Sequence, residues 1–369
     1  GDGRVPQAGE TLEAARQGLA PGHSLIMASG CEQQLRSALD SLPRIQLASI
    51  RPTPLEHLPR LSAELGGPQI YIKRDDLTGL AFGGNKTRML EFALADAQAK
   101  GAQVIVFGAA VQSNYCRQMA AACAKLGLEL HLILRPVRAI DHEEVQGNHL
   151  LMRLLGAHVT VLDDADRPRQ QEIIAARVGQ LRAEGHNVYR PREEDTVDLD
   201  GLAYAESALE VVEQTRAQGI DARWLYVCAL DTTQAGLVLG LRQSQSQIQV
   251  RGISPFEEWD GRFEEMARIA NQGAERAGLD IRLNSTDFDN DNSWVGERYG
   301  VPTPAGLDPI RIVARSEGIL LDPVYTSKAM SALIDHIRTG KLSKSDGPVV
   351  FLHTGGYAAL FGYAADVLD

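Results

Sequence analysis

Apolar positions along this chain recur in two rhythms. Short continuous apolar runs at 69–73, 104–107, 130–134 and 158–162 alternate with longer stretches of helical period, first 86–97 with Leu90, Ala93, Leu94 and Ala97 in register, then 114–126, 145–155 and 169–184. A continuous run is what a parallel strand covered on both faces requires, and a 3.6-residue period is what a helix buried along one stripe requires. Strand and helix in alternation predict right-handed βαβ crossovers and a doubly wound sheet. A second alternating set follows, with strands at 224–229, 249–253 and 349–352 and helices from about 234, over 258–277 and over 327–339. Between the two sets, the polar stretch Glu193-Glu-Asp-Thr-Val-Asp-Leu-Asp-Gly201 reads as a crossing between domains. At 369 residues the chain exceeds a single core of about 250 residues, so the expected architecture is α/β with two doubly wound open-sheet domains. Residues 1–30, rich in Gly, Ala, Pro and Gln, read as a tail.

Composition narrows the function. With 44% hydrophobic and 23% charged residues the chain has the make-up of a soluble globule. Its net charge of −11 repels phosphates, which argues against a nucleic acid or an anionic membrane as partner. Cys31, Cys116, Cys123 and Cys228 form no CxxC pair, and Cys116 and Cys123 share one helical face, the pattern of core thiols in a reducing compartment. Neither a transmembrane run nor a signal peptide is visible, so the expected location is the cytoplasm.

Candidate chemistry gathers where strands hand over to helices, the edge at which open α/β sheets bind ligands. Gly83-Gly-Asn-Lys-Thr-Arg88 places Lys86 at a helix start behind two glycines that let backbone approach a ligand, and a lysine whose pKa shifts readily can act as Schiff-base nucleophile or proton shuttle. Gln112-Ser-Asn114 puts a hydroxyl, an amide and free N–H groups at the next helix start, where they can grip a carboxylate or serve as a plain N-cap. Leu321-Asp-Pro-Val-Tyr325 and His353-Thr-Gly-Gly356 mark two further corners. His353 reads as a structural histidine at a strand end, and Asp75-Asp76 and Asp289-Asn-Asp-Asn292 as solvated loop carboxylates, so no metal is expected.

Together with Lys73-Arg-Asp-Asp76 and Thr233-Gln-Ala-Gly-Leu237, these motifs occur in the order seen in the aminocyclopropanecarboxylate deaminase and D-cysteine desulfhydrase family, which the chain resembles from about residue 45 to its end. The resemblance implies a pyridoxal phosphate enzyme of fold type II, the tryptophan-synthase-β-like fold. It implies a larger cofactor domain from 31–85 and 196–369, a smaller domain from 86–195, an active site in the cleft between them, and a homodimer. Lys86 would bond the cofactor aldehyde and, once displaced, act as base on the substrate's α-proton. Asn85, Asn114, Thr232, Thr233, Gln234, Ala235, Gly236, Thr326 and Thr354 would contact the cofactor. Gln112, Ser113, Asn114, Tyr115 and Tyr299 would contact an amino-acid substrate, with Ser113, Tyr299 and Tyr325 taking part in catalysis. Thr326 is expected to face the pyridine nitrogen where the cyclopropane deaminases carry a glutamate. A neutral hydroxyl there makes the ring a weaker electron sink and favours α,β-elimination from a cysteine-like amino acid, giving pyruvate, ammonia and sulfide. Aminocyclopropanecarboxylate deaminase and cysteate sulfo-lyase chemistry are the alternatives.

Three positions depart from the family. No glycine precedes Thr233 in Cys228-Ala-Leu-Asp-Thr-Thr, so Asp231 puts a negative charge where the cofactor's phosphate belongs. Met89 stands where a second, phosphate-directed lysine is usual, and Tyr115 replaces a histidine or glutamine. These losses leave open a second class of function, a binding protein or a lyase working without the cofactor, in which Lys86 is a plain base or anion contact.

Overall fold

A computed structural model describes residues 29–368. Two parallel-rich sheets organise the chain. The four-stranded sheet, in the order β5-β4-β3-β6, is built from β3 (Val104–Ala110), β4 (Glu129–Arg135), β5 (His158–Val161) and β6 (Val188–Tyr189), all parallel. The six-stranded sheet, β1-β2-β10-β7-β8-β9, takes β1 (Leu55–His57) and β2 (Ile70–Lys73) from early in the chain and β7 (Trp224–Cys228), β8 (Gln249–Ile253), β9 (Asp289–Asp291) and β10 (Val349–Leu352) from late in it. Only the edge strand β1 runs antiparallel. Every residue of β10 is buried, as its continuous apolar sequence requires of a central strand.

The helices that position the site are α1 (Gly30–Asp40), α2 (Lys86–Ala99), α3 (Asn114–Leu126), α4 (Gly147–Leu154), α5 (Gln170–Ala183), α6 (Val197–Gln218), α7 (Thr232–Gln243), α8 (Arg262–Arg276), α9 (Pro304–Glu317) and α10 (Thr326–Arg338). The tail expected over 1–30 lies outside the described residues up to 28, and Gly30 already begins α1, capped by Ser29.

The polar stretch at 193–201 is no mere crossing, because residues 197–218 form the 22-residue helix α6, buried along nearly its whole length. It runs against α7 so closely that a Cβ at Gly236 would lie 1.9 Å from the Gly201 carbonyl oxygen. Gly236 therefore serves helix packing rather than a ligand. All four cysteines are free, and Cys116 and Cys123 are buried on one face of α3. Among the described residues no helix is long and apolar enough to cross a membrane.

Candidate active site

Lys86 is the first residue of α2, and the helix is held from behind by charge. Two residues on, about 200° around a helix, Arg88 is fully buried. It meets Asp75 at 2.9 Å, and its Nη1 and Nη2 meet Glu210 of α6 at 2.7 Å. The Lys73 ammonium joins the same Glu210 at 2.6 Å and the Thr53 carbonyl at 2.7 Å. Two cations thus balance two carboxylates in the interior, and Lys86, on the opposite side of the helix, is turned into a cavity. Asp75 and Asp76, expected as solvated loop carboxylates, are 0% and 1% exposed, with Asp76 paired to Arg74 at 2.8 Å.

The approach to Lys86 is also braced. Arg117 donates to the carbonyls of Ala81 and Gly83, and Gln118 Oε1 accepts from the Thr87 N–H at 2.6 Å. Gly83 has φ +69° and a Cβ there would lie 2.1 Å from the Asp76 carbonyl; at Gly84 it would lie 2.6 Å from the Gln118 amide nitrogen. These glycines admit protein neighbours, not a ligand as the motif suggested.

The cavity, of about 160 Å3, is lined by Asn85, Lys86, Ser113, Asn114, Tyr115, Thr233, Tyr299, Tyr325 and Thr354 from the predicted set, by Asp231, noted from the sequence beside the phosphate position, and by Phe107, Arg135, Arg192, Cys228 and Phe256, which the sequence did not single out. Ser113 caps α3 by accepting from the Cys116 N–H at 3.2 Å, and Asn114 accepts from Asn148 at 2.9 Å. Tyr299 and Tyr325 share a 2.5 Å hydroxyl contact, and Phe256 stacks on Tyr299 with ring centroids 4.5 Å apart. Burial raises both tyrosines, Tyr299 to about 12, so each keeps its proton and serves as a donor. Tyr115 is buried with its hydroxyl unpartnered.

Five predicted residues are placed elsewhere. Gln112 is spent on Gln146 and Asn148, bracing the loop before α4. The Gln234 side chain bridges the Asp289 carbonyl and Asn290, inside the sheet edge. Ala235 and Gly236 are interior positions of α7. Thr326 is not among the residues lining the cavity, and its hydroxyl lies 2.8 Å from Asp322 Oδ1. Thr232, fully buried, keeps an unpartnered Oγ1 at the α7 amino end. Met89 is fully buried in the main core and does not line the cavity. His353 spends both ring nitrogens, on the Leu320 carbonyl and the Gly355 N–H.

Burial of Lys86, reinforced by the nearby Arg192 guanidinium and opposed by Asp231 and Asp200, lowers its pKa to about 8. About a tenth of the amine is then unprotonated at pH 7, against well under a thousandth for an ordinary lysine. A chain carrying such an amine in a partly open cavity, beside an N-terminal helix amide and a tyrosine pair, has the means to bond a carbonyl and to move a proton. Residues 47–355 match the family described as pyridoxal-phosphate dependent enzyme. The chain belongs to this family. It is 38% identical over 328 residues to D-cysteine desulfhydrase of Klebsiella pneumoniae (strain 342), covering 88% of this chain and 97% of that one. It is 37% identical to D-cysteine desulfhydrase of Serratia proteamaculans (strain 568), covering 90% and 99%. The crystal structure of an ACC deaminase homologue matches it with a TM-score of 0.81 at 33% identity, covering 91% of this chain and 98% of that one. Diaminopropionate ammonia lyase of Escherichia coli in its apo form shares the fold, with a TM-score of 0.65 at 16% identity.

The cofactor of this family is pyridoxal phosphate, and the donor set here fits it. Lys86 supplies the amine for the aldehyde, and Asn85, Asn114 and Thr354 flank it on the cavity wall. At the α7 amino end, Thr233 lines the cavity, the Thr232 hydroxyl lacks a partner, and the Thr233 and Gln234 N–H groups have no acceptor among the described residues. Free amides and hydroxyls at a helix amino end are what a phosphate needs. Uptake of the cofactor by this pyridoxal phosphate enzyme is therefore expected to quicken as pH rises through about 8, as Lys86 loses its proton. Stopped-flow absorbance of the apoprotein mixed with cofactor checks this.

Proposed function

We propose that the chain is a pyridoxal phosphate lyase that removes the β substituent of D-cysteine, giving pyruvate, ammonia and sulfide. One observation carries the reading: the amine of Lys86, its pKa lowered to about 8, shares one cavity with Ser113, Asn114 and the Tyr299–Tyr325 pair. The cofactor, when bound, supplies the electron sink that lets an α-proton leave. The residues supply the rest. Lys86 takes the α-proton and holds it as ammonium. Ser113 and Asn114, at the amino end of α3, hold the substrate carboxylate where the helix's free N–H groups favour negative charge. Of the tyrosine pair, one hydroxyl donates to the other, leaving a single proton to stabilise the departing sulfur. Phe107 and Phe256 keep water from the reacting carbon. The names of the D-cysteine desulfhydrase relatives support sulfide as leaving group.

A second leaving group has support from Arg135. This guanidinium lines the cavity, makes no ion pair among the described residues, and holds only Gln170 at 3.3 Å, so an anionic side chain such as the sulfonate of cysteate could use it. Pyruvate and sulfide from D-cysteine support the first reading. Sulfite from cysteate, abolished in Arg135→Gln while D-cysteine remains inert, supports the second.

The reading extends to a cytoplasmic homodimer. Free thiols suit a reducing compartment. Leu150 and Leu154 on α4 are 50% and 78% exposed, and the adjoining helix Tyr357–Phe361, packed against α4, exposes Phe361 by 67%. Such an apolar patch suits a second copy of the chain. Leu154→Glu is expected to shift the protein to monomers in light scattering.

A further inference from the structure

Asp231 and Arg192 are the two groups in the cavity that neither the family's chemistry nor the proposed reaction uses, and both are held in backbone conformations that resist their side chains. Arg192 has φ +63° and Asp231 φ +47° with ψ −121°, a region that only glycine occupies without cost. They face each other, Arg192 Nη2 meeting Asp231 Oδ2 at 2.8 Å. An ordinary N-cap needs no such strain and places its acceptor on the second or third N–H of the helix. Asp231 instead takes only the first N–H, that of Thr232, and leaves those of Thr233 and Gln234 open. A surface ion pair would not account for Asp200 either. Its carboxylate is 1% exposed, has no hydrogen-bond partner at either oxygen, and lies 3.6 Å from Arg192 Nε. One guanidinium thus serves two carboxylates, beside a helix end whose remaining donors are unused.

We propose that the Asp231–Arg192 pair is an internal stand-in for the cofactor's phosphate: the Asp231 carboxylate occupies the α7 amino end until the phosphate displaces it, and Arg192, kept in the cavity by Asp200, then becomes the phosphate's counter-cation. The proposal rests on the pyridoxal phosphate reading above and goes beyond it, because it assigns the phosphate contact to residues at which the family motif has no cation. It also accounts for two departures together. A chain with Met89 in place of a phosphate-directed lysine needs another cation, and Arg192 is the guanidinium paired with Asp231, the cap of α7. A fixed carboxylate beside that cation makes phosphate binding a competition, so the cofactor is held more weakly than the same donors would hold it without Asp231.

The test compares pyridoxal phosphate with pyridoxal, which lacks the phosphate, by equilibrium dialysis against the wild type, Arg192→Gly and Asp231→Gly. Glycine relieves φ strain at both positions, so the variants retain a native fold, and thermal melts confirm it. In R192G the preference for pyridoxal phosphate over pyridoxal is expected to fall by at least about tenfold, the loss of one charge-assisted contact. In D231G it is expected to rise by about tenfold or more; the ratio cancels the change in Lys86 protonation that either substitution causes, since both compounds bond the same amine. Arg192→Lys, which keeps the charge, restores most of the preference. A preference that stays within about twofold of wild type in both glycine variants overturns the proposal while leaving the cofactor reading intact. Failure of the wild type to take up either compound overturns both.

Discussion

Lys86→Ala is expected to lower turnover of D-cysteine by roughly a thousandfold or more, because it removes the nucleophile for the cofactor carbonyl and the base for the α-proton in one change. The fold should survive. The Lys86 side chain makes no hydrogen bond or ion pair among the described residues, and the helix it begins is anchored by Arg88, Thr87 and the Gln118 amide. A melting temperature within a few degrees of wild type, with pyruvate formation lost, separates a chemical role from a structural one. Lys86→Arg should be equally inactive, since a guanidinium never presents a free amine at working pH. Turnover within tenfold of wild type in either variant would remove Lys86 from the reaction.

The second large effect is on stability. Glu210→Ala leaves Arg88 and Lys73 buried, short of one carboxylate, and the expected cost is about 3–5 kcal/mol. Arg88 and Lys73 are both 0% exposed, so water cannot replace the lost partner. The same interaction has a pH signature. Burial alone would raise the Glu210 pKa, but the Arg88 and Lys73 charges outweigh it and hold the carboxyl at about 2, against an ordinary 4.5. A depressed carboxyl contributes stability that is fully present above its unfolded pKa and is lost as pH falls toward the folded value. Between about 4.5 and about 2 the wild type should therefore lose about 3 kcal/mol that Glu210→Ala has already lost. Denaturant titrations of both proteins should converge across that window. Parallel curves would show that the cluster carries no net stabilisation.

The same cluster explains how legible the site was. The strands β3, β4, β7 and β10 are largely apolar runs and fall within a few residues of where the pattern places them. The helix α6 escaped detection because almost all of it is buried, so the contrast between an apolar and a polar face, on which a periodic reading depends, is missing. Its opening, Val197-Asp-Leu-Asp-Gly201, reads as a polar link until Asp198 is seen paired with Arg276 and Asp200 beside Arg192. Strand β6, two residues long, is set by pairing with β3 and not by its own composition.

At the site, Lys86, Ser113, Asn114 and Tyr325 could be picked out because each sits at a strand-to-helix corner, whereas Tyr299 followed only from the family resemblance. Thr326 and Gln112 sit at such corners too, yet their side chains turn toward Asp322 and toward the loop before α4, a choice of direction that linear order does not carry. Arg192 had one available signal. The carboxylate of Asp231 in a place suited to an anion calls for a cation nearby, and Arg192, just ahead of the acidic stretch at 193–195, is the residue that answers it.

The chemistry depends on the Lys86 nitrogen bonding the cofactor's carbonyl carbon. Reducing the cofactor-loaded protein with borohydride and mapping the modified peptide by mass spectrometry tests that directly. The pyridoxyl group is expected on the peptide containing Lys86 and on no other; a label on Lys328, or protein that stays unmodified and colourless with excess cofactor, would contradict it.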